Sequence, residues 1–451
     1  MKKASLVWSC CAALVLSACP GPDDDKPGNP DPTNPTPTNP TTLTVTGKVI
    51  DGANQAATKA SVLIPGNGRQ PVAVDASGAF SISGVTPPYD VIVADKERRI
   101  ATVFKGLTLK TLTVPLDLDS DAVQPDPEHQ ATVEGTVTGE QPSSASASTD
   151  LLFASADANM SGTVDPMGGT YSLNVDWSGT TSVTGTLYAL QLERSDLFSP
   201  PTRYLAFGQR DNVTVAKDAT LSAQDIAMSP VTSSRLAGNY VVPEGYAVSL
   251  STLSLAFKPA SEFGLGFAFP SASGAFDYAV PQIPQATFSI LTVASPRDAQ
   301  GGDDSAQTML FKRGLTAGTT NVSLELQAPA RPAQPADAAK DVTRTTGFSW
   351  SPFANGVHML MLQEDKSENQ TPYTVAIYTR EPQTSLPDLS AFGMDLPAST
   401  EFTWQIQGVG PMASMDAMIG LVEQGNPFEQ GTGDMAVSTS ETRTFTTAAA
   451  P

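Results

Sequence analysis

One pattern, met three times in the same order, constrains this chain more than any other feature. A strand-like segment with a glycine near its centre opens each occurrence: "VTGKVI" around Gly47, "VEGTVT" around Gly135 and "LAGNYV" around Gly238. Further on, a glycine is followed two residues later by an aromatic: Gly78 and Phe80, Gly169 and Tyr171, Gly274 and Phe276. A Phe-containing run, a turn and a last alternating run close each occurrence, as in "TVFKGLTLKTLTVPLDL" and "MLFKRGLTAGTTNVSLELQAP". Apolar and polar residues alternate through these segments, the period of a half-buried β-strand. The opening glycines lie roughly a hundred residues apart, the size of one small β-sandwich and too long for a solenoid repeat. The expected fold class is all-β, with tandem β-sandwich domains.

Composition agrees. The 451 residues include 37 Pro and 35 Gly, which disfavours long helices and favours short strands joined by turns. Hydrophobic residues make up 40% of the chain, enough for packed cores, while charged residues reach only 16%. The net charge of −20 repels phosphate backbones, so nucleic acid is not expected as a partner.

The N-terminus carries Lys2 and Lys3, then an apolar run from Ala4 to Ala18. That run is shorter than the roughly 20 residues of a spanning helix and suits the core of an export signal. Its end, Leu16-Ser17-Ala18-Cys19, resembles a bacterial lipobox. The resemblance implies lipidation of Cys19 and cleavage before it, making residues 1–18 a lipoprotein signal peptide. Cys10 and Cys11 would leave with that peptide, so the mature chain would hold neither a disulfide nor a thiol site. Residues 19–42 would then be the lipidated cysteine and a disordered Pro/Asn/Thr linker, reaching on the order of 70 Å if extended. Pro20 stands where inner-membrane lipoproteins carry Asp, which implies the bacterial outer membrane, facing either the periplasm or the outside.

Residues 43–122 resemble the carboxypeptidase regulatory-like family, on "VTGKVID", "KASVLIPG" and "VDASGAFSISGVTPPYDVIVAD". That implies a transthyretin-like sandwich and brings no catalytic residue with it. Residues 129–229 and 230–328 are expected to be β-sandwich repeats of the same kind, and "APARPAQPADAAK" a hinge. Residues 341–451 resemble a fibronectin type III domain, on "TTGFSWSPFANG", "YTVAIYTRE", "LPASTEFTWQIQG" and "ETRTFTTA". The resemblance makes Trp350 the core tryptophan and puts Leu396 and Phe402 at the leucine and tyrosine-corner positions. Trp404 also reads as core. Pro411 to Met435 reads as a loop insertion or an irregular pair of strands.

Chemistry is sparse. His129 reads as an exposed linker residue and His358 as a strand-face residue, with no neighbouring nucleophile and orienter. No nucleophile elbow, zinc-protease motif or phosphate loop is present, so no catalytic residue is assigned and the protein is not expected to be an enzyme. Asp117, Asp119 and Asp121 form one candidate calcium cluster; Asp157, Asn159 and Asp165 form another, and Asp303 with Asp304 a poorer third. The competing reading is solvated loop carboxylates, since none has EF-hand spacing. Apart from the lipid on Cys19, no cofactor is expected. Trp177, near a turn, is the candidate ligand-binding aromatic, with a strand-end core contact as its competing role. The expectation is a lipid-anchored, non-catalytic scaffold, spacer or adhesion module that meets the membrane through its lipid and has an envelope protein or glycan as partner. The alternative is a polysaccharide-binding accessory lipoprotein.

Overall fold

The computed structural model describes residues 42–450 apart from 53, 67, 117–126, 157, 166–168, 197, 258–261, 271–273, 298–305, 367–370 and 424–432. The fold is nearly all β, with tandem β-sandwiches.

Three sandwiches share one topology. In the first, Leu43–Ile50 lies between antiparallel Ala79–Val85 and parallel Thr111–Pro115. In the second, His129–Thr138 lies between antiparallel Thr170–Trp177 and the short parallel strands Thr220–Leu221 and Ile226–Ala227. In the third, Ser233–Val241 lies between Ala275–Pro281 and Val322–Glu325 in the same senses. The facing sheets also correspond, each placing the Phe-containing strand after a run of antiparallel strands: Ile100–Leu107, Arg203–Ala216 and Gln307–Leu315.

The glycine and the aromatic of the sequence pattern are two halves of one contact. Gly47 is paired with Phe80, Gly135 with Tyr171 and Gly238 with Phe276. A Cβ on Gly47 would stand 2.2 Å from the Leu112 carbonyl oxygen and 2.9 Å from the Phe80 ring. On Gly238 it would stand 2.0 Å from the Val322 oxygen and 2.9 Å from the Phe276 ring. Only glycine lets the parallel strand approach this closely while the ring lies across the gap. The N–H groups of Val49, Val137 and Tyr240 donate to the oxygens of Gly78, Gly169 and Gly274, so the second glycine of the pattern is held at an equivalent place in each unit.

The fourth sandwich packs Pro332–Gln334, Gly347–Trp350 and Gln383–Ser385 against a larger sheet containing Val357–Glu364, Thr374–Thr379 and Glu401–Gly410. Its core is aromatic: Phe348 meets Trp404 and Phe445 edge-on, and Phe402 stacks on Phe445 at 5.3 Å. Trp350 and Trp404 are buried as expected, and Leu396 packs against the core half-buried. Two local expectations fail. The Pro/Ala stretch is no hinge: it supplies Pro332–Gln334, and Ala339–Val342, which straddles its end, pairs with Arg443–Thr447. Within the Pro411–Met435 insertion, Met415–Glu423 is an α-helix whose first turn is capped by Ser414, the Oγ accepting from the Ala417 N–H at 3.1 Å.

The sandwiches are joined by their sheets. Thr374–Thr379 pairs in parallel with Ile100–Leu107, extending the fourth sandwich into the first. Met435–Thr439 pairs with Gln307–Leu315, extending it into the third. One sheet thus runs from the third sandwich through the fourth to the first. The helix adds to the first junction: Met415, Met418 and Ile419 enter the first sandwich's core, and Asp416 accepts from the Thr108 N–H at 2.9 Å. Arg99 crosses the same seam to Glu364 at 2.6 Å. The second and third sandwiches meet through aromatic faces, with Tyr188 stacked on Phe257 at 4.0 Å. Hydrophobic cores are therefore shared across the seams.

Candidate functional site

Cys19, Asp117, Asp119, Asp121, Asp157, Asp303 and Asp304 lie outside the described residues. Asn159 falls in the strand Asn159–Thr163. Asp165 is exposed on a shallow depression shared with Glu134 and Tyr171. Among the described residues, no three His, Cys, Asp or Glu side chains gather as metal ligands would.

Trp177 is not a surface platform. It is 2% exposed in the second sandwich's core, pairs with His129 across the sheet, and donates its indole N–H to the Thr180 oxygen at 2.7 Å. Its place at the end of an alternating strand, on the inward parity, puts it there. His129 is the first residue of a strand rather than a linker residue; its ring lies 5.6 Å from that of Trp177, with Nε2 3.2 Å from the Gly179 oxygen. His358 is 1% exposed. Its Nε2 accepts from the Phe353 N–H at 2.9 Å, and burial lowers its pKa, so the neutral ring is the form that fits.

His358 belongs to a polar row inside the continuous sheet. Thr308 pairs with Ser438, Ser438 with Gly408, and Gly408 with His358. The hydroxyls of Thr292, Thr308 and Ser438 are fully buried and find no hydrogen-bond partner among the described residues.

Two surface features stand out. The first is a ladder of phenylalanines where the second and third sandwiches adjoin. Phe198 and Phe269 are 59% and 72% exposed, the two most exposed large apolar side chains among the described residues. Phe198 stacks on Phe267 at 5.6 Å, and Phe267 meets Phe269 edge-on at 6.1 Å. The rings are held by backbone: the Phe267 N–H donates to the Phe198 oxygen at 2.8 Å, and Gly266 leaves room for Ser199 to lie against the strand. Asp196 fixes the loop by accepting from the N–H groups of Phe198 and Ser199, and its hydrogen bonds with Ser199 hold its carboxyl below the usual range. Sequence reasoning missed this patch; phenylalanines set among prolines and glycines, in "LFSPP" and "FGLGFAFP", are the signal that could have found it.

The second is a cleft of about 330 Å³ at the seam between the first and fourth sandwiches. Its floor is one cross-strand row: Leu63 pairs with Ile92, Ile92 with Val103, and Val103 with Ile377 across the seam. Leu386 and Ala391 of the fourth sandwich wall it, and Asp90, Lys105, Ser385 and Asp388 surround its mouth.

No family model matches the chain, and no curated protein matches it. Among solved structures, it aligns with the Bacillus anthracis TIE protein at 9% identity, over 63% of this chain and 51% of that one, with a TM-score of 0.15. The chain thus spans about half the length of that protein. It aligns with BcpA, the major pilin subunit of Bacillus cereus, at 8% identity over 63% and 99% of the two chains, TM-score 0.13. A DUF3823 family protein from Parabacteroides merdae aligns at 10% identity over 37% and 92%, TM-score 0.12. Likeness at this level assigns neither activity nor ligand; the β-sandwich fold rests on the sheet pairings above.

Proposed function

We propose that the chain is a lipid-anchored, non-catalytic protein of the bacterial envelope, a stiff multi-sandwich body serving as scaffold, spacer or adhesion module. The observation that carries this reading is the sheet that passes unbroken through three sandwiches. Backbone pairing across two seams resists bending in a way that flexible linkers between separate domains do not. The lipobox-like Leu16-Ser17-Ala18-Cys19 supports attachment, and Pro20 supports the outer membrane. The sequence motifs quoted above support a regulatory-like first sandwich and a fibronectin type III-like fourth. Cell fractionation tests the anchor: the unaltered chain should partition with membranes and the Cys19→Ala chain should be soluble. A Cys19→Ala chain that stays with membranes refutes it. Protease treatment of intact cells then separates the two faces, since digestion of the sandwiches requires surface exposure.

The Phe198–Phe267–Phe269 ladder favours a second reading, binding of a glycan on an exposed aromatic surface. A glycan array on the unaltered chain and on Phe198→Ala/Phe269→Ala distinguishes the two. Glycan signal lost in the double variant supports binding there; no signal with either leaves the scaffold.

A further inference from the structure

We infer that the phenylalanine ladder is a membrane-contact surface, with Phe198 and Phe269 entering the headgroup–acyl boundary of a zwitterionic bilayer. The rings come first. Phe198 and Phe269 are 59% and 72% exposed, yet both are held, Phe198 stacked on Phe267 and Phe269 edge-on to it. Rings already ordered lose little conformational freedom on entering lipid, and each takes its apolar surface out of water. Together the two expose roughly 300 Å² of aromatic surface. A stable protein–protein interface takes about 800 Å² from each partner, so this patch is too small to be one. A bilayer sets no such minimum and asks for no matching shape.

The backbone beside the rings suits lipid as well. An N–H without a partner is costly where there is no water. The N–H groups of Phe198 and Ser199 donate to Asp196 at 3.1 and 2.9 Å, and the Phe267 N–H donates to the Phe198 oxygen at 2.8 Å. Pro200, Pro201 and Pro270 have no N–H to satisfy. A glycan also needs free hydrogen-bond partners beside the rings, and the donors named here, with the Ser199 hydroxyl on Asp196, are taken. Charge selects the lipid. Asp196 lies two residues from Phe198 and the chain carries −20, so anionic headgroups are repelled and insertion stays shallow. Access rests on the lipid-anchored reading above, in which an extended linker keeps a bilayer within a reach on the order of 70 Å.

The test uses residues 20–451, without export signal or lipid, so that it does not depend on the anchor. The chain should float with phosphatidylcholine vesicles. Phe198→Ser/Phe269→Ser should lower the partition coefficient by about tenfold or more. Both side chains are exposed, so circular dichroism and thermal melting should match the parent. In Phe269→Trp, vesicles should shift the new indole emission to the blue over the constant background of buried Trp177, Trp350 and Trp404. Phosphatidylglycerol added to the vesicles should weaken binding. Failure to float, equal flotation of the double serine variant, or no emission shift overturns the proposal. Stronger binding to phosphatidylglycerol overturns the lipid class. A glycan-array signal lost in Phe198→Ala/Phe269→Ala, with no vesicle binding, assigns the ladder to a glycan instead. Flotation of this chain, together with a Cys19→Ala chain that stays with membranes, supports the ladder and refutes only the anchor.

Discussion

The Phe-containing edge strands of the first and second sandwiches hold the same place in the same topology, yet meet different neighbours. Ile100–Leu107 is paired along five residues by a strand of the fourth sandwich. Arg203–Ala216 is paired along two, Ala206 and Phe207, by its own following segment Ser229–Pro230. The side chains match these roles. From Ala101 to Phe104 every residue is buried, so both faces of the strand are covered. From Asn212 to Ala216 exposed and buried residues alternate, and Asn212 sits at φ +59 beside a register shift. A kink and polar side chains of this kind discourage another strand from pairing. The same scaffold thus yields a joining edge where alternation is lost and an edge that, past its register shift, keeps alternation and stays closed.

The largest effect should follow from charging the joining edge. Ala101 is fully buried and pairs with Val375 across the seam. Ala101→Asp buries an unpaired carboxylate and should cost about 4 kcal/mol by urea denaturation. Thr214→Asp, on the closed edge and exposed, should stay within about 0.5 kcal/mol of the parent. Similar costs for the two would erase the distinction between the edges.

The next effect comes from polar groups at the two edges. Arg99 donates to Glu364 at 2.6 Å and to the Thr371 oxygen at 2.8 Å, and Glu364 is 6% exposed. Arg99→Met leaves that carboxylate with Lys366 and the Tyr373 N–H, and should cost about 2–3 kcal/mol. Arg210 on the closed edge is half-buried and, among the described residues, donates to the Asp225 oxygen at 3.2 Å without a buried carboxylate to neutralise, so Arg210→Met should be near neutral.

Much of the fold was legible because its signal is local. Gly47, Gly135 and Gly238 mark strand centres in sequence, and the rings that lie across them are likewise visible as Phe80, Tyr171 and Phe276. The seams were not legible for a physical reason. "VIVAD" and "ATVF" are apolar on both faces, and such a run looks alike whether its second face meets its own domain or another. Pro332–Gln334 is too short to show a period, so a prolyl stretch read as a hinge. Met415–Glu423, at nine residues, is stabilised by its contact with the first sandwich rather than by its own sequence. The surface was the least legible part: Trp177 and Phe198 both lie close to turns, and only packing shows that the first is inside and the second outside.

Acid should weaken the fourth sandwich before it weakens the second. Burial lowers the His358 pKa from its ordinary 6.5, although nearby Glu381 and the Thr379 and Arg380 backbone act the other way. The folded state therefore binds its proton less readily than the unfolded chain. Stability from the neutral ring is complete above about pH 6.5 and falls as pH drops through that value toward the folded pKa. Below pH 4.5 Glu364 joins in. Burial pushes its pKa up, but the Tyr373 N–H, Arg99 and Lys366 together hold it down, so protonation on acidification removes its contribution. Urea midpoints between pH 8 and pH 5 should decline for the parent and decline less for His358→Gln. An equal decline would place the sensitive group elsewhere.

The smallest effect should have the opposite sign. Thr308 lies on the third sandwich's joining edge, directly across from Ser438, and both are fully buried. Neither hydroxyl has a partner among the described residues. A buried hydroxyl without a hydrogen bond costs about 1–3 kcal/mol relative to water, and replacing it by a methyl group of similar shape removes that cost. Thr308→Val should therefore leave stability unchanged or raise it by about 1 kcal/mol, whereas the same substitution at exposed Thr214 of the closed edge should register only strand propensity and the loss of its solvent-exposed hydrogen bond with the Thr184 hydroxyl at 2.8 Å. Urea denaturation of both variants decides the matter. A loss of stability in Thr308→Val alone would mean that the hydroxyl row is satisfied in solution, and that this seam is held by polar contacts as well as by paired backbones.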